Sequence, residues 1–146
     1  MFTPTSTRSA SAYKRVGVET SINTADPHKL VSLLFEALLQ ALGAARLATQ
    51  NGDMPVKGRQ IGTAIRILEE GLIAPLNLQD GGELAANLQN LYRYCVAQVT
   101  FGNLRNDVAC FEEVSRLIEL VASGWKQIDG QGPAYLKPVA ASGVMQ

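Results

Sequence analysis

The side chains able to carry out chemistry are few in this sequence, and their spacing does not fit a reaction. His28 is the single histidine, and Cys95 and Cys110 are the two cysteines. A nucleophilic cysteine needs a histidine base, and a di-metal helical bundle needs Glu-x-x-His pairs, which the sequence lacks. A phosphotransfer histidine stands in the middle of a helix, whereas His28 falls in a first helical turn, where we expect it to be solvated. The pattern therefore predicts a protein that is not an enzyme and that holds no cofactor and no metal.

The compartment is indicated by the cysteines and by the apolar runs. Residues 1–11 lack the apolar segment of a secretory signal, and the most apolar stretch, residues 33–42, is interrupted by Glu36 and Gln40. We therefore predict a cytoplasmic protein with reduced thiols and no membrane insertion. The two cysteines then serve as small buried hydrophobic residues, and the sequence leaves open whether they lie close together.

The charge balance excludes one class of partner. Lysine plus arginine equals aspartate plus glutamate at 13 each, and charged residues make up 18% of the chain. An average soluble protein has about 25% charged residues. A net charge near zero gives no electrostatic reason to bind nucleic acid.

Hydrophobic periodicity predicts four helices that would position any site. Asp26 suits an N-cap and Pro27 suits the first helical position, while the sequence "NGD" at residues 51–53 should end the first helix. Gly102-Asn103 should end the third helix. The four predicted helices span residues 27–50, 55–73, 83–101 and 107–128. Short loops and the lack of β-type alternation predict an all-α fold, an antiparallel four-helix bundle over residues 26–128.

The two flanks differ from the bundle in composition. Residues 1–12 are rich in Thr, Ser and Ala and are predicted to be disordered, and residues 129–146 contain enough Gly and Pro to predict a disordered tail. Residues 13–25 are predicted to form a short N-terminal arm or helix. Its apolar residues Tyr13, Val16 and Ile22 form either a mobile cover over a groove or a permanently docked arm, and both readings stay open.

The first and third helices carry more apolar surface than a helix with one buried face needs. On the third helix the apolar arc reaches about 220°, against a core stripe of about 100°. One reading is that these two helices are more enclosed than the others. The reading we favour is a partner-binding surface, because four helices offer few neighbours to cover both arcs. The side chains beyond the expected core lines are Val31, Phe35, Leu38, Leu42, Tyr92, Val96, Tyr94 and Phe101, with Asn87 at the border.

The segments "ADPHKLVSLLFEAL", "GGELAANLQNLYRY" and "FGN" resemble the FliS family of flagellar secretion chaperones over about residues 13–128. The block from Gly82 to Tyr94 is the most specific part. The resemblance implies a four-helix bundle that binds the disordered C-terminal segment of flagellin in the cytosol. It also implies that the chaperone prevents premature polymerisation and helps deliver the subunit to the flagellar type III export gate. An N-terminal arm that occupies part of the groove without client is implied as well.

Together these observations predict a set of partner-binding residues. The set is Tyr13, Val16, Ile22, Val31, Phe35, Leu38, Leu42, Asn87, Tyr92, Tyr94, Val96 and Phe101. The alternative is a structural bundle that self-associates through the same apolar surface. A homodimer in the absence of client is compatible with either function.

Overall fold

The computed structural model describes residues 26–128, which form four helices in chain order. The predictions for residues 1–12, for the arm at 13–25 and for the tail at 129–146 lie outside the described residues. Helix α1 spans Pro27–Asn51, and helix α2 comprises an α-helical part, Met54–Arg66, followed directly by a π-helical part, Ile67–Ile73. Helix α3 spans Gly82–Arg105, and helix α4 spans Val108–Lys126.

Helix α1 begins and ends where the sequence indicates. The Asp26 carboxylate accepts a hydrogen bond from the Lys29 backbone N–H at 3.2 Å, and Pro27 occupies the first turn. Gly52 ends the helix with a φ of 76°, a left-handed conformation that glycine adopts without steric cost. Asp53 then starts α2 by accepting a hydrogen bond from the Val56 N–H at 3.2 Å. Two residues are therefore enough to reverse the chain.

Helix α3 is longer than predicted, because Gly102 does not end it. The helix continues to Arg105, and Asn106 ends it with a φ of 54°. Gly102 is instead a packing residue: a Cβ added to it would lie 2.8 Å from Cys110 Cβ and 2.9 Å from Phe111 Cε1. The missing side chain thus lets α3 approach α4 closely near the loop that connects them.

The second half of α2 departs from α-helical geometry. The Ala74 N–H donates to the Glu69 carbonyl at 3.0 Å, a bond that spans five residues instead of four. Within this part a Cβ on Gly71 would lie 3.0 Å from Leu34 Cδ1. The end of α2 therefore packs closely against the start of α1.

Contacts between helix ends establish an antiparallel ring. Helix α1 packs against α2 and α4, and α3 also packs against α2 and α4. His28 at the start of α1 contacts Trp125 at the end of α4, and Lys57 near the start of α2 donates to the Asn103 carbonyl near the end of α3 at 3.0 Å. The predicted all-α architecture is confirmed.

The core lies along the axis of this ring. Its largest fully buried side chains are Phe35, Phe111, Leu34, Leu38, Leu42, Ile67, Leu68, Ile118, Val99, Val114 and Cys95. Helix α1 supplies four of them and is apolar enough, by length and composition alone, to cross a membrane. Core helices of soluble proteins pass the same test, and the buried face of α1 packs inside the bundle.

Candidate partner-binding surface

The structure buries the α1 side chains that we predicted to face a partner. Val31 is 5% exposed, Phe35 is 1% exposed, and Leu38 and Leu42 are 0% exposed. All four belong to the hydrophobic core cluster. The expectation that they lie on the surface is therefore wrong. For α1 the alternative holds, namely that this helix is more enclosed by its neighbours than the other helices are.

A row of alanines explains how α1 uses so broad an apolar arc. Ala41, Ala45 and Ala48 are buried and Ala37 is half-buried. These small side chains occupy the side of α1 next to α2, by a 100° helical projection. Small residues let two helices approach closely, so this side and the adjoining core side are both covered by the chain itself.

On α3 the buried face is rotated from the line that we expected. The expected core residue Leu84 is 38% exposed, and Leu88 and Leu91 are only half-buried. Tyr92, expected to face a partner, is 2% exposed and lies in the core. Burial raises the pKa of the Tyr92 hydroxyl above its ordinary value, with a smaller contribution from Cys95. The leucines on one side of α3, and not Tyr92, form its surplus apolar surface.

Three of the other predicted α3 residues are exposed. Tyr94 is 44% exposed, Phe101 is 43% exposed, and Asn87 is also on the surface, while Val96 is half-buried. Arg105 lies over the Phe101 ring at 5.1 Å from its centroid, a cation–π contact. Tyr13, Val16 and Ile22 lie outside the described residues.

A pair of hydrogen bonds connects α3 to α4 at Glu113. The Tyr94 hydroxyl donates to Glu113 Oε2 at 2.7 Å, and Gln98 Nε2 donates to Glu113 Oε1 at 2.7 Å. The bond to Glu113 is the main cause that raises the pKa of Tyr94 above its ordinary value. Because this carboxylate holds both side chains, it fixes the relative position of the two helices on their outer side.

Beyond these bonds, away from the α3–α4 loop, leucine and valine side chains cover the junction of the two helices. We call this surface the α3–α4 face. Leu88, Leu91, Leu117 and Val121 are half-buried against the core, and Leu84 is exposed at its end. Helical projection places Leu84, Leu88 and Leu91 on the side of α3 that faces α4. It places Leu117 and Val121 on the side of α4 that faces α3. The face is therefore an apolar strip that the described helices cover only in part.

A second surface, the α1–α4 groove, runs along the opposite side of α4. It consists of two adjoining cavities of about 260 and 350 Å³ that share Glu119. Its α1 lining is Ser32, Phe35, Glu36, Leu39, Leu42, Gly43 and Arg46, and its α4 lining is Phe111, Glu112, Ser115, Arg116, Glu119, Ala122, Ser123 and Lys126. From Ser32 to Arg46 the α1 lining covers fifteen positions, and the fourteen steps between them correspond to about 21 Å of helix.

The groove has an apolar base and a charged rim. Phe35 and Leu42 contribute to both the groove and the core, and Leu39 and Ala122 are half-buried beside them. The charges on the rim have both signs: Glu36, Glu112, Glu119, Arg46, Arg116 and Lys126. This arrangement suits an amphipathic segment whose apolar side chains contact the base of the groove and whose polar side chains lie beside the charged rim.

Leu120 lies between the two surfaces. It is 71% exposed on the outer side of α4, and helical projection places it between the rim of the groove and the α3–α4 face. Our sequence reasoning missed Leu39, Ala122 and Leu120 as candidates. The sequence did contain a signal for the groove. Small residues such as Ser32 and Gly43 on α1 lie opposite Ser115 and Ser123 on α4, and their short side chains leave space between the two helices.

The structure also corrects the environment of His28. Its ring stacks on the Trp125 indole with centroids 4.8 Å apart, and Nε2 lies 2.7 Å from the Trp125 carbonyl oxygen. The Trp125 Nε1–H in turn donates to the His28 carbonyl at 2.9 Å. The histidine is thus half-buried and joins two helix ends, so it is not the solvated side chain that we expected. Among the described residues, no group of three His, Cys, Asp or Glu side chains is placed to hold a metal ion.

Comparison with known proteins gives the family. The family model for flagellar protein FliS matches residues 9–132. The flagellar secretion chaperone FliS of Salmonella typhimurium is 43% identical over 117 residues, which are 80% of this chain and 87% of that protein. The chain belongs to the FliS family.

Other relatives cover the chain to a similar extent. FliS of Vibrio cholerae is 38% identical over 133 residues, or 91% of this chain and 95% of that protein. The flagellar secretion chaperone FliSB of Pseudomonas aeruginosa is 41% identical over 116 residues, or 80% of this chain and 91% of that protein. Since FliS is a family of chaperones, the protein has an export chaperone role and is not an enzyme.

Proposed function

We propose that this FliS protein binds the disordered C-terminal segment of flagellin in the cytosol. Binding prevents premature polymerisation and assists delivery of the subunit to the flagellar type III export apparatus. The observation that carries the proposal is the α1–α4 groove with its apolar base and charged rim. Membership of a family of flagellar secretion chaperones supports flagellin as the client.

The dimensions of the groove suit a short helix of the client. A length of about 21 Å corresponds to about four helical turns. Apolar client residues spaced three and four apart would contact Leu39 and Ala122, over the buried Phe35 and Leu42. Polar client residues would remain beside the charged rim, where their hydration is retained.

A second part of the client is proposed to bind the α3–α4 face. Leu120 lies between this face and the groove, so a client that crosses α4 at Leu120 contacts both surfaces with one continuous chain. Asn87 and Tyr94 are exposed near the face and offer polar groups to the client backbone. Phe101 lies further along α3 on the side of Tyr94 and would extend the contact, whereas helical projection places Val96 on the opposite flank of the helix.

Calorimetry with the C-terminal fragment of flagellin from the same organism tests the function. Leu39→Glu places a carboxylate in the groove, and we expect it to weaken binding by at least about tenfold, or about 1.4 kcal/mol. Leu47→Glu is the matched control on the same helix. Leu47 is 54% exposed and does not line the groove, so this variant should stay within about twofold of the unmodified protein.

Two results would count against the proposed function. Equal affinities for the Leu39→Glu and Leu47→Glu variants, with circular dichroism showing both folded, would remove the groove from the client site. Size-exclusion chromatography in which the chain self-associates and ignores the flagellin fragment would instead favour the structural bundle. The chaperone function requires a one-to-one complex.

A further inference from the structure

Three arginines form a cationic surface on the side of the bundle that is opposite the α1–α4 groove. Arg59 and Arg66 lie on α2, and Arg93 lies on α3. Helical projection places each of them about 140–160° away from a buried residue of its own helix, Ile61 or Cys95, so all three point outward. In the ring of helices, α2 and α3 adjoin on the side away from the groove. We call this outer side, marked by the three residues, the α2–α3 arginine surface.

The antiparallel packing of α2 and α3 brings the three arginines together along the bundle. Lys57 Nζ donates to the Asn103 carbonyl, so Arg59 lies beside the end of α3. Arg66 follows Arg59 by seven residues and Arg93 precedes Asn103 by ten, which places both about 10–15 Å from that end. The surface is therefore about 15 Å long, which corresponds to about ten residues of a helix laid along it.

The surface carries charge of one sign. The sequence contains no Asp or Glu from residue 54 to residue 68 of α2 or from residue 84 to residue 106 of α3. Within the described part of the chain, Arg59, Arg66 and Arg93 form no ion pair and no side-chain hydrogen bond. Because the chain as a whole is neutral, these cations are a local excess of positive charge that complements a negatively charged partner.

Arg66 has a donor that lacks an acceptor. Its Nε is buried and has no hydrogen-bond partner among the described residues. A Cβ added to Gly62 would lie 3.8 Å from Arg66 Nη1, so the side chain lies back along α2 over this glycine. A buried N–H without an acceptor costs free energy, and a guanidinium presents two parallel N–H groups to a carboxylate. A carboxylate from outside would therefore favour an outward position of the Arg66 side chain and satisfy its Nε–H.

The surroundings of the arginines favour an acidic protein segment over a nucleic acid. Leu104 is 77% exposed and lies within about 20° of Arg93 around α3, so it offers an apolar contact at one end of the surface. Glu69 and Asp80 are exposed at the other end and would repel a uniformly charged phosphate backbone. A stable dimer of two copies needs a larger apolar centre than one exposed leucine.

We propose that the α2–α3 arginine surface binds an acidic segment of a second protein. Carboxylates of the segment bind the three arginines, and an apolar side chain of the segment contacts Leu104. This docking rests on the charges of α2 and α3 and does not require flagellin. Because the surface and the α1–α4 groove lie on opposite sides of the ring, both can be occupied at once, a consequence that rests on the function proposed above.

Calorimetry of the intact chain with a synthetic helical peptide tests the docking. The peptide presents several Glu residues and one Leu on one side, and a second peptide has Gln in place of each Glu. Replacing the three arginines should weaken binding of the Glu peptide at least about tenfold, with circular dichroism showing an unchanged helix content. The substitutions are Arg59→Gln, Arg66→Gln and Arg93→Gln.

The matched control removes the same number of cations from the rim of the groove. Its substitutions are Arg46→Gln, Arg116→Gln and Lys126→Gln. This variant should bind the Glu peptide within about twofold of the unmodified protein. Equal weakening in the two variants would overturn the docking, as would equal affinities for the Glu and Gln peptides.

Two further measurements separate the other occupants. Tighter binding of oligouridine than of the Glu peptide at the same salt would overturn the proposal in favour of a nucleic acid. A dimer in size-exclusion chromatography that the three surface substitutions abolish would overturn it in favour of a second copy.

The flagellin fragment tests the simultaneous occupation separately. With the fragment already bound, the Glu peptide should bind within about twofold of its affinity for the free chain. Displacement of one by the other would overturn the simultaneous occupation. If the fragment fails to bind while the peptide binds through the arginines, the flagellin function is wrong and the docking of an acidic segment stands.

Discussion

At the scale of single residues, Gly102 shows how one missing methyl group sets a helix contact. Sequence reasoning assigned it to a helix end, whereas the structure places it inside α3 against Cys110 and Phe111. A glycine inside a helix lowers helix stability by up to about 1 kcal/mol relative to alanine. The close approach of α3 and α4 offsets this loss, because it buries apolar surface on both helices.

Gly102→Ala is predicted to destabilise the protein. Its Cβ would lie 2.8 Å from Cys110 Cβ and 3.0 Å from the Asp107 carbonyl oxygen, so the helices must move apart. We expect the free energy of unfolding to fall by about 1–3 kcal/mol in urea titrations, despite the better helix propensity of alanine. Gly58→Ala in α2 is the control, since a Cβ there meets nothing within 4 Å. It should stabilise by up to about 1 kcal/mol, and a similar gain for Gly102→Ala would contradict the packing argument.

Cys95 provides a pH-dependent prediction. Burial, with a smaller contribution from Glu113, raises the pKa of the Cys95 thiol from 9.0 to about 12. Between these values the folded state keeps a proton that the unfolded chain loses. The free energy of unfolding should therefore be unaffected by this thiol below pH 9 and fall by up to about 1.4 kcal/mol per pH unit above it. Urea titrations at pH 8 and pH 10 should show a smaller drop for Cys95→Ala, and an equal drop would exclude Cys95 as a cause.

At the scale of elements, α1 and α3 show why an apolar arc does not by itself mark a binding surface. Periodicity gives the width of the arc but not the number of neighbours that cover it. The alanines of α1, several of which we assigned to the core line, face α2 and let it approach closely, and the side that we assigned to a partner lies in the core of the bundle. On α3 the apolar arc is wider than the buried face of the helix, as the sequence indicated. Its exposed edge lies at Leu84 and Leu91 because Tyr92 turns into the core.

The contact between α2 and the end of α3 depends on one buried lysine. Lys57 is 8% exposed, and its Nζ donates to the Asn103 carbonyl at 3.0 Å and to Asn106 Oδ1 at 2.6 Å. A cation at a helix C-terminus also interacts favourably with the helix dipole. Lys57→Met should lower the free energy of unfolding by about 1–3 kcal/mol.

The matched control is Arg59→Met, which removes an exposed cation from the same helix. It should change the free energy of unfolding by less than about 0.5 kcal/mol in the same urea titrations. Equal effects of the two substitutions would show that the hydrogen bonds of Lys57 contribute nothing beyond its charge.

At the scale of the whole molecule, the charge balance predicts how client binding responds to salt. The formal net charge is zero, and the groove pairs an apolar base with rim charges of both signs. Apolar burial should dominate, so the affinity for the flagellin fragment should change by less than about threefold between 50 and 500 mM salt. Binding should also show a negative heat-capacity change. A steep loss of affinity with salt, measured by calorimetry, would indicate an electrostatic interface instead.

The sequence was sufficient for the architecture but only partly for the site. Asp26, Pro27 and Gly52 give local signals that act within a few residues, so the limits of α1 could be predicted closely. The α1–α4 groove arises from small residues that oppose each other across two helices distant in the chain. Its position depends on the rotation of each helix about its axis, which a single sequence does not specify. For the same reason the contact between His28 and Trp125 was not anticipated.

The reciprocal contact between His28 and Trp125 brings residue 26 and residue 128 to one pole of the bundle, opposite the turn at Gly52. A circular permutant that joins the original termini and opens the chain at Gly52 would keep all four helices and their mutual packing. Its new ends would emerge at the far pole.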